Sequence, residues 1–178
     1  MVEMLSLKRF SHAEAQCILL NYQKYSSENL NRLFMEGKTP TFEDVAGETA
    51  GVIILCPQCG RFSKFLATVF FNSPFSRWTG KIFVRPFEKD KTGKAVNRYR
   101  GRLAPRRYLM LTSMVQATCD HKPCVKLTYT FPWSTFGAHD EFRKVEDGIF
   151  LGQTYQKLPF SKADMLIAYF VLCALRTS

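Results

Sequence analysis

The chain has 178 residues, of which 46% are apolar, 14% aromatic and 22% charged, and a formal net charge of +10. That length and composition suit one sizeable hydrophobic core and exclude a disordered, collagen-like or low-complexity protein. The longest apolar run, the 11 residues from Met165 to Leu175, is shorter than the ~18 needed to cross a bilayer as a helix, so a transmembrane protein is not expected.

Met1 to His12 lacks the apolar core and small-residue cleavage site of a secretory signal. An intracellular protein with its six cysteines reduced is expected, whether in the cytoplasm or an organelle. Ser11 and Glu14 have capping-box spacing and predict a helix over about 12–25. A second helix starts at Ser27, with Leu30, Leu33 and Phe34 on one face and Gly37 as its stop. These two helices make an appendage over 1–40, and 41–178 forms the rest of a single domain. Phe42 to Gly47 reads as a turn or single helical turn leading into a first strand at about Thr49 to Cys56.

Phe62, Phe65, Leu66, Val69 and Phe70 recur at helical spacing and predict an amphipathic helix over 61–71, inserted after that strand. Strands are then expected at Trp78–Phe87, Ala95–Leu103, Tyr108–Ala117, Val125–Phe131, Asp140–Val145, Ile149–Gln156 and Met165–Leu175. Turn residues at 91–94, 120–123 and 146–148 separate several of them. Val125, Leu127, Tyr129 and Phe131 alternate without a break, which places them on one face. About eight short strands with few helices between them give a mainly β class, an antiparallel sheet that closes on itself or curls strongly.

The basicity is local. Residues 1–50, 51–110 and 111–178 carry net charges of −2, +11 and +1. The densest stretch, Arg85 to Arg107, would attract an anionic partner: a lipid headgroup or membrane surface, an acidic protein, a nucleic acid or a carboxylate ligand. On a strand over 95–103, Arg98, Arg100 and Arg102 share one face, and Asn97, Tyr99, Gly101 and Leu103 the other. The arginines then face solvent or clamp an anionic head at a barrel mouth. Tyr99 does not share their face, which disfavours stacking of nucleic-acid bases between them.

Leu-Phe-x-x-Gly at 33–37, Gly47-Glu-Thr-Ala-Gly51, Trp78-Thr-Gly-Lys-Ile-Phe83, Phe142-Arg-Lys-Val145 and Leu151-Gly-Gln-Thr-Tyr155 follow one another in an order that resembles the GXWXG-type domain and related uncharacterised bacterial proteins. Thr49 stands where that pattern has its tryptophan. The resemblance implies a small lipocalin-like, or calycin-like, barrel and carries no chemistry with it.

Cys56 and Cys59 have the spacing of half a zinc site, and Cys119, His121 and Cys124 form a second cluster; the two complete a tetrahedral site only if their turns meet. Packing thiols are the favoured reading, and no metal or cofactor is expected. His139 lies beside Asp140 and Glu141, with Tyr129 or Tyr155 as a conceivable acid partner, but strand alternation separates His139 from Asp140, so a surface-turn histidine is expected. No nucleophile elbow or phosphate-binding glycine loop is present. The expectation is a non-catalytic binding protein for a hydrophobic or amphipathic, fatty-acid-like anion. Phe62, Phe65, Trp78, Tyr129 and Tyr155 would line its cavity and Arg98, Arg100 or Arg102 meet its head. The alternatives are an accessory subunit docking its basic face on an acidic partner, and an enzyme using the barrel interior.

Overall fold

A computed structural model describes residues 7–57, 72–73, 76–88, 91–100, 109–130, 137–157 and 164–176. Helix α1 (His12–Tyr22) opens with a full capping box: the Ser11 side chain accepts from Glu14 N, and the Glu14 carboxylate accepts from Ser11 N. It stops short of residue 25 because Lys24 and Tyr25 bond back to the carbonyls of Asn21 and Tyr22, tightening the last turn. Helix α2 (Ser27–Glu36) is capped by Ser26 and ends at Gly37. Gly37 has a φ of −64°, so it is not a left-handed stop. It is small because a Cβ there would lie 2.9 Å from Arg143 Cβ. The single turn α3 (Phe42–Val45) follows.

Nine strands follow among the described residues: β1 (Gly47–Leu55), β2 (Asn72–Ser73), β3 (Ser76–Arg85), β4 (Gly93–Arg100), β5 (Leu109–Gln116), β6 (Pro123–Tyr129), β7 (His139–Glu146), β8 (Ile149–Lys157) and β9 (Asp164–Ala174). Their order is β1-β9-β8-β7-β6-β5-β4-β3, and β3 returns to β1, so eight antiparallel strands close a barrel while β2 adds a short ladder to the end of β3. The helix expected over 61–71 lies outside the described residues. No helix among the described residues is long and apolar enough to cross a membrane.

Strand alternation sorts the core into two clusters. Inside the barrel lie Phe83, Met110, Val125, Leu127, Tyr129, Phe142, Phe150, Phe170 and Leu172, with Trp78. On the outer face, Leu151, Tyr169, Val171 and Cys173 are covered by Ala15, Leu19 and Tyr22 of α1 and Leu30 and Phe34 of α2. The faultless alternation of Val125, Leu127 and Tyr129 therefore does point one way, into the barrel. β9 is apolar on both faces because one packs on the interior and the other beneath α1.

Candidate functional site

A charged pair sits among the interior rings. Lys81 Nζ lies 2.8 Å from Asp140 Oδ2, and both side chains are 1% exposed. Nζ also donates to Asn97 Oδ1 at 3.0 Å and lies 3.5 Å from the Tyr129 hydroxyl, which itself donates to Asp140 Oδ2 at 2.7 Å. The rings of Trp78, Tyr129 and Phe170 surround the ammonium with centroids 5.1–5.6 Å away. Burial pushes the Lys81 amine down, with Asp140 acting the other way. Burial and the neighbouring Asp140 carboxylate push the Tyr129 hydroxyl far up. Asn97 Oδ1 accepts from both Lys81 Nζ and Trp78 Nε1, which fixes the orientation of its amide. Two atoms of this network, Asp140 Oδ1 and Asn97 Nδ2, have no hydrogen-bond partner among the described residues.

Lys81 reaches the interior through a β-bulge. The β3–β4 register shifts between Trp78 and Gly80, and Gly80 has a φ of +139°. The extra residue resets the alternation, so Trp78 and Lys81, three apart, both point inward.

The strand pairing beside this network is short. β1 pairs with β3 only at Gly47↔Phe83 and Glu48↔Ile82, and from Thr49 to Leu55 it pairs with β9 alone. At the seam the Thr49 hydroxyl substitutes for the ladder, donating to Lys81 O and accepting from Lys81 N. Farther along, the Trp78 ring packs on Gly51, where a Cβ would lie 2.6 Å from it. A groove of about 1000 Å³ follows this seam between α1, β1, β3 and β4. Leu19, Leu20, Ala50 and Val52 line its apolar side, and Trp78 and Asn97 belong to its lining as well as to the interior network.

Three arginines line the same groove: Arg77, Arg98 and Arg100. Arg98 is tied down, its Nη1 3.1 Å from Thr49 O and 3.3 Å from Glu48 Oε2. Arg77 and Arg100 are paired positions on neighbouring strands, both exposed, and neither has a carboxylate partner among the described residues. Like charges directly opposite on a sheet repel, which an anion between them would relieve.

The residues singled out from the sequence thus fall on three surfaces. Arg98 and Arg100 line the groove, with Asn97 and Tyr99 turned to the interior as alternation predicts. Trp78 and Tyr129 belong to the interior network. Tyr155 is on the outer face, stacked on His139 with centroids 5.4 Å apart and donating to Gln153 at 2.7 Å. Arg102, Phe62, Phe65 and Cys59 lie outside the described residues.

His139 is not a surface-turn residue. It is 6% exposed on β7, with the Tyr155 ring stacked on it and the Glu141 carboxylate 3.5 Å from its Nε2. It and Asp140 do occupy opposite faces. Burial raises the Glu141 carboxyl, but His139 and the two Thr118 donors outweigh it and hold the group below the usual range. Beside it Arg143 grips both oxygens of Asp120, at 2.8 and 2.7 Å, and the carbonyls of Phe34, Lys122 and Pro123. Cys56 and Cys124 are buried in the outer apolar cluster and Cys119 is exposed. Among the described residues no three His, Cys, Asp or Glu side chains are grouped to hold a metal.

Lys81 and Asp140 carry the most distinctive chemistry of the barrel, and reading residue types along the chain did not single out Lys81. The available signal was Gly80, an isolated glycine inside a strand pattern, which marks a bulge.

The eight-stranded antiparallel barrel is consistent with a calycin- or lipocalin-type fold. A crystal structure of a protein from Thermomonospora curvata is similar to it, with a TM-score of 0.51 and 14% sequence identity over 92% of this chain and 97% of that one. At that identity the likeness concerns the fold alone. No protein-family profile matches the chain. No curated protein matches it.

Proposed function

We propose that the protein binds an amphipathic, fatty-acid-like anion in the groove along the β1–β3 seam, without transforming it there. The observation that carries this reading is the cross-strand pair Arg77 and Arg100, without a carboxylate partner among the described residues, set in a groove with one apolar side. Two guanidinium forks match a carboxylate or a larger oxyanion, and Leu19, Leu20 and Val52 offer apolar surface to a chain. Arg98, committed to Glu48 and Thr49, positions the β4 edge and has less freedom to engage the head. Membership in the GXWXG-type group and an intracellular setting, in keeping with buried thiols at Cys124 and Cys173, belong to the same proposal. So does action as one domain, since the 1–40 helices share an apolar cluster with β8 and β9.

Titration with sodium decanoate, followed by tryptophan emission and calorimetry, tests the reading. Saturable binding that weakens with salt, and about tenfold in R77A or R100A, is expected. Absence of saturable binding, or equal affinity in the double variant R77A/R100A, overturns it.

A further inference from the structure

A buried ion pair is a poor device for stability alone, because desolvating both charges offsets most of their attraction. The Lys81–Asp140 pair also differs from a sealed structural pair in three respects. It lies directly behind Trp78 and Asn97, which line an open groove. The strand pairing beside it stops after two residue pairs. Two of its polar atoms, on side chains 1% exposed, have no hydrogen-bond partner among the described residues: an acceptor, Asp140 Oδ1, and a donor, Asn97 Nδ2.

We propose that Lys81 is the amine of a covalent carbonyl-binding site, forming a reversible iminium with the aldehyde of an apolar molecule admitted along the β1–β3 seam. The ammonium passes one proton across 2.8 Å to the Asp140 carboxylate. The freed nitrogen lone pair attacks the carbonyl carbon, and one N–H proton moves to the new alkoxide to give a carbinolamine. The Asp140 acid then protonates the hydroxyl, the C–O bond breaks, water leaves and the nitrogen lone pair forms the C=N bond. The balance is ammonium plus aldehyde to iminium plus water, with no oxidant or reductant.

Both unpartnered atoms find a use in this sequence. Asn97 Nδ2 is a donor for the carbonyl oxygen, and Asp140 Oδ1 is a free acceptor for the carbinolamine hydroxyl and the departing water. The product carries the same single positive charge as the ammonium it replaces. The carboxylate and the three rings around Nζ therefore stabilise both, and no new charge is buried. A desolvated lysine beside a proton acceptor is the general arrangement of an amine nucleophile, and burial here disfavours the ammonium in the same direction. The inference does not depend on anion binding at Arg77 and Arg100.

The test is to incubate the native folded protein with decanal and sodium cyanoborohydride, then map decyl groups by mass spectrometry of a digest. Decylation of Lys81 about tenfold faster than of the exposed Lys91, and its loss in K81R, is the expected result. Decylation confined to Lys91 and other exposed lysines, with Lys81 modified only after denaturation, overturns the proposal. So does an undiminished decyl load in K81R. Decanoate titration of the same preparation reports the groove separately, so failure of either reading leaves the other independently measured.

Discussion

Lys81 of β3 and Asp140 of β7 meet at 2.8 Å inside the barrel, although they lie on strands that are not neighbours in the sheet. The pair spans the interior, and neither charge has water to fall back on. Removing one partner should therefore be worse than removing both. D140A is expected to lose about 3–5 kcal/mol of unfolding free energy. The double variant K81M/D140L, which replaces the pair with apolar groups of similar volume, should recover most of that loss. Urea denaturation of the variants measures the difference, and a double variant as unstable as D140A would refute the account.

Arg77 and Arg100 should behave in the opposite sense. They face each other across β3 and β4 without a carboxylate partner among the described residues, so the ligand-free protein bears their repulsion. R77A is expected to raise unfolding stability by about 0.2–1 kcal/mol at low ionic strength, with the gain shrinking as salt is added. The same change should weaken decanoate binding. Denaturant midpoints at two salt concentrations, set beside the titration, check this crossing of signs; lower stability in R77A at low salt would contradict it.

The difference between what was legible in the sequence and what was not follows the bulges. β6 has no register shift, and Val125, Leu127 and Tyr129 point inward as simple alternation requires. β4 likewise keeps phase from Ala95 to Arg100, so the separation of Arg98 and Arg100 from Asn97 and Tyr99 was readable directly. In β3 the shift between Trp78 and Gly80 turns Lys81 from the solvent face to the interior. In β8, by contrast, alternation runs unbroken from Ile149 and Leu151 to Tyr155 and puts Tyr155 on the outer face against His139, the extra residue of that register shift lying on β9. A period of two predicts faces only until the first inserted residue. The pairing of Lys81 with Asp140 is set by barrel closure across 59 residues of chain, which no local pattern encodes.

Gly51 offers a probe of the seam. A Cβ at this position would lie 2.6 Å from the Trp78 ring and 2.8 Å from Leu172 Cδ2, closer than either can tolerate without moving. G51A is expected to lose about 1–3 kcal/mol through overpacking. Because the displaced group is an indole bonded to Asn97, its emission should shift as well. Unchanged stability together with unchanged emission would show that the ring does not close the gap between β1 and β3.

Asp120 supplies a pH test of the outer polar cluster. The Arg143 hydrogen bonds hold its carboxyl down at about 2, against an ordinary value of 3.8, with further help from the Lys122 backbone N–H. The unfolded chain therefore binds this proton more readily than the folded one. Its contribution to stability is complete above the ordinary value of 3.8 and is lost as pH falls through about 2. Wild type should be more stable than D120N at neutral pH, and the gap should narrow on acidification across that window. Comparing the two at each pH removes the common effect of Glu14, Glu141 and Asp147, whose carboxyls are also held low. Since Arg143 links Asp120 to the end of α2 through Phe34 O, helical circular dichroism should report loosening of α2 over the same interval. Melting temperatures whose difference stays constant from pH 7 to pH 2 would exclude the Arg143 contact as the cause.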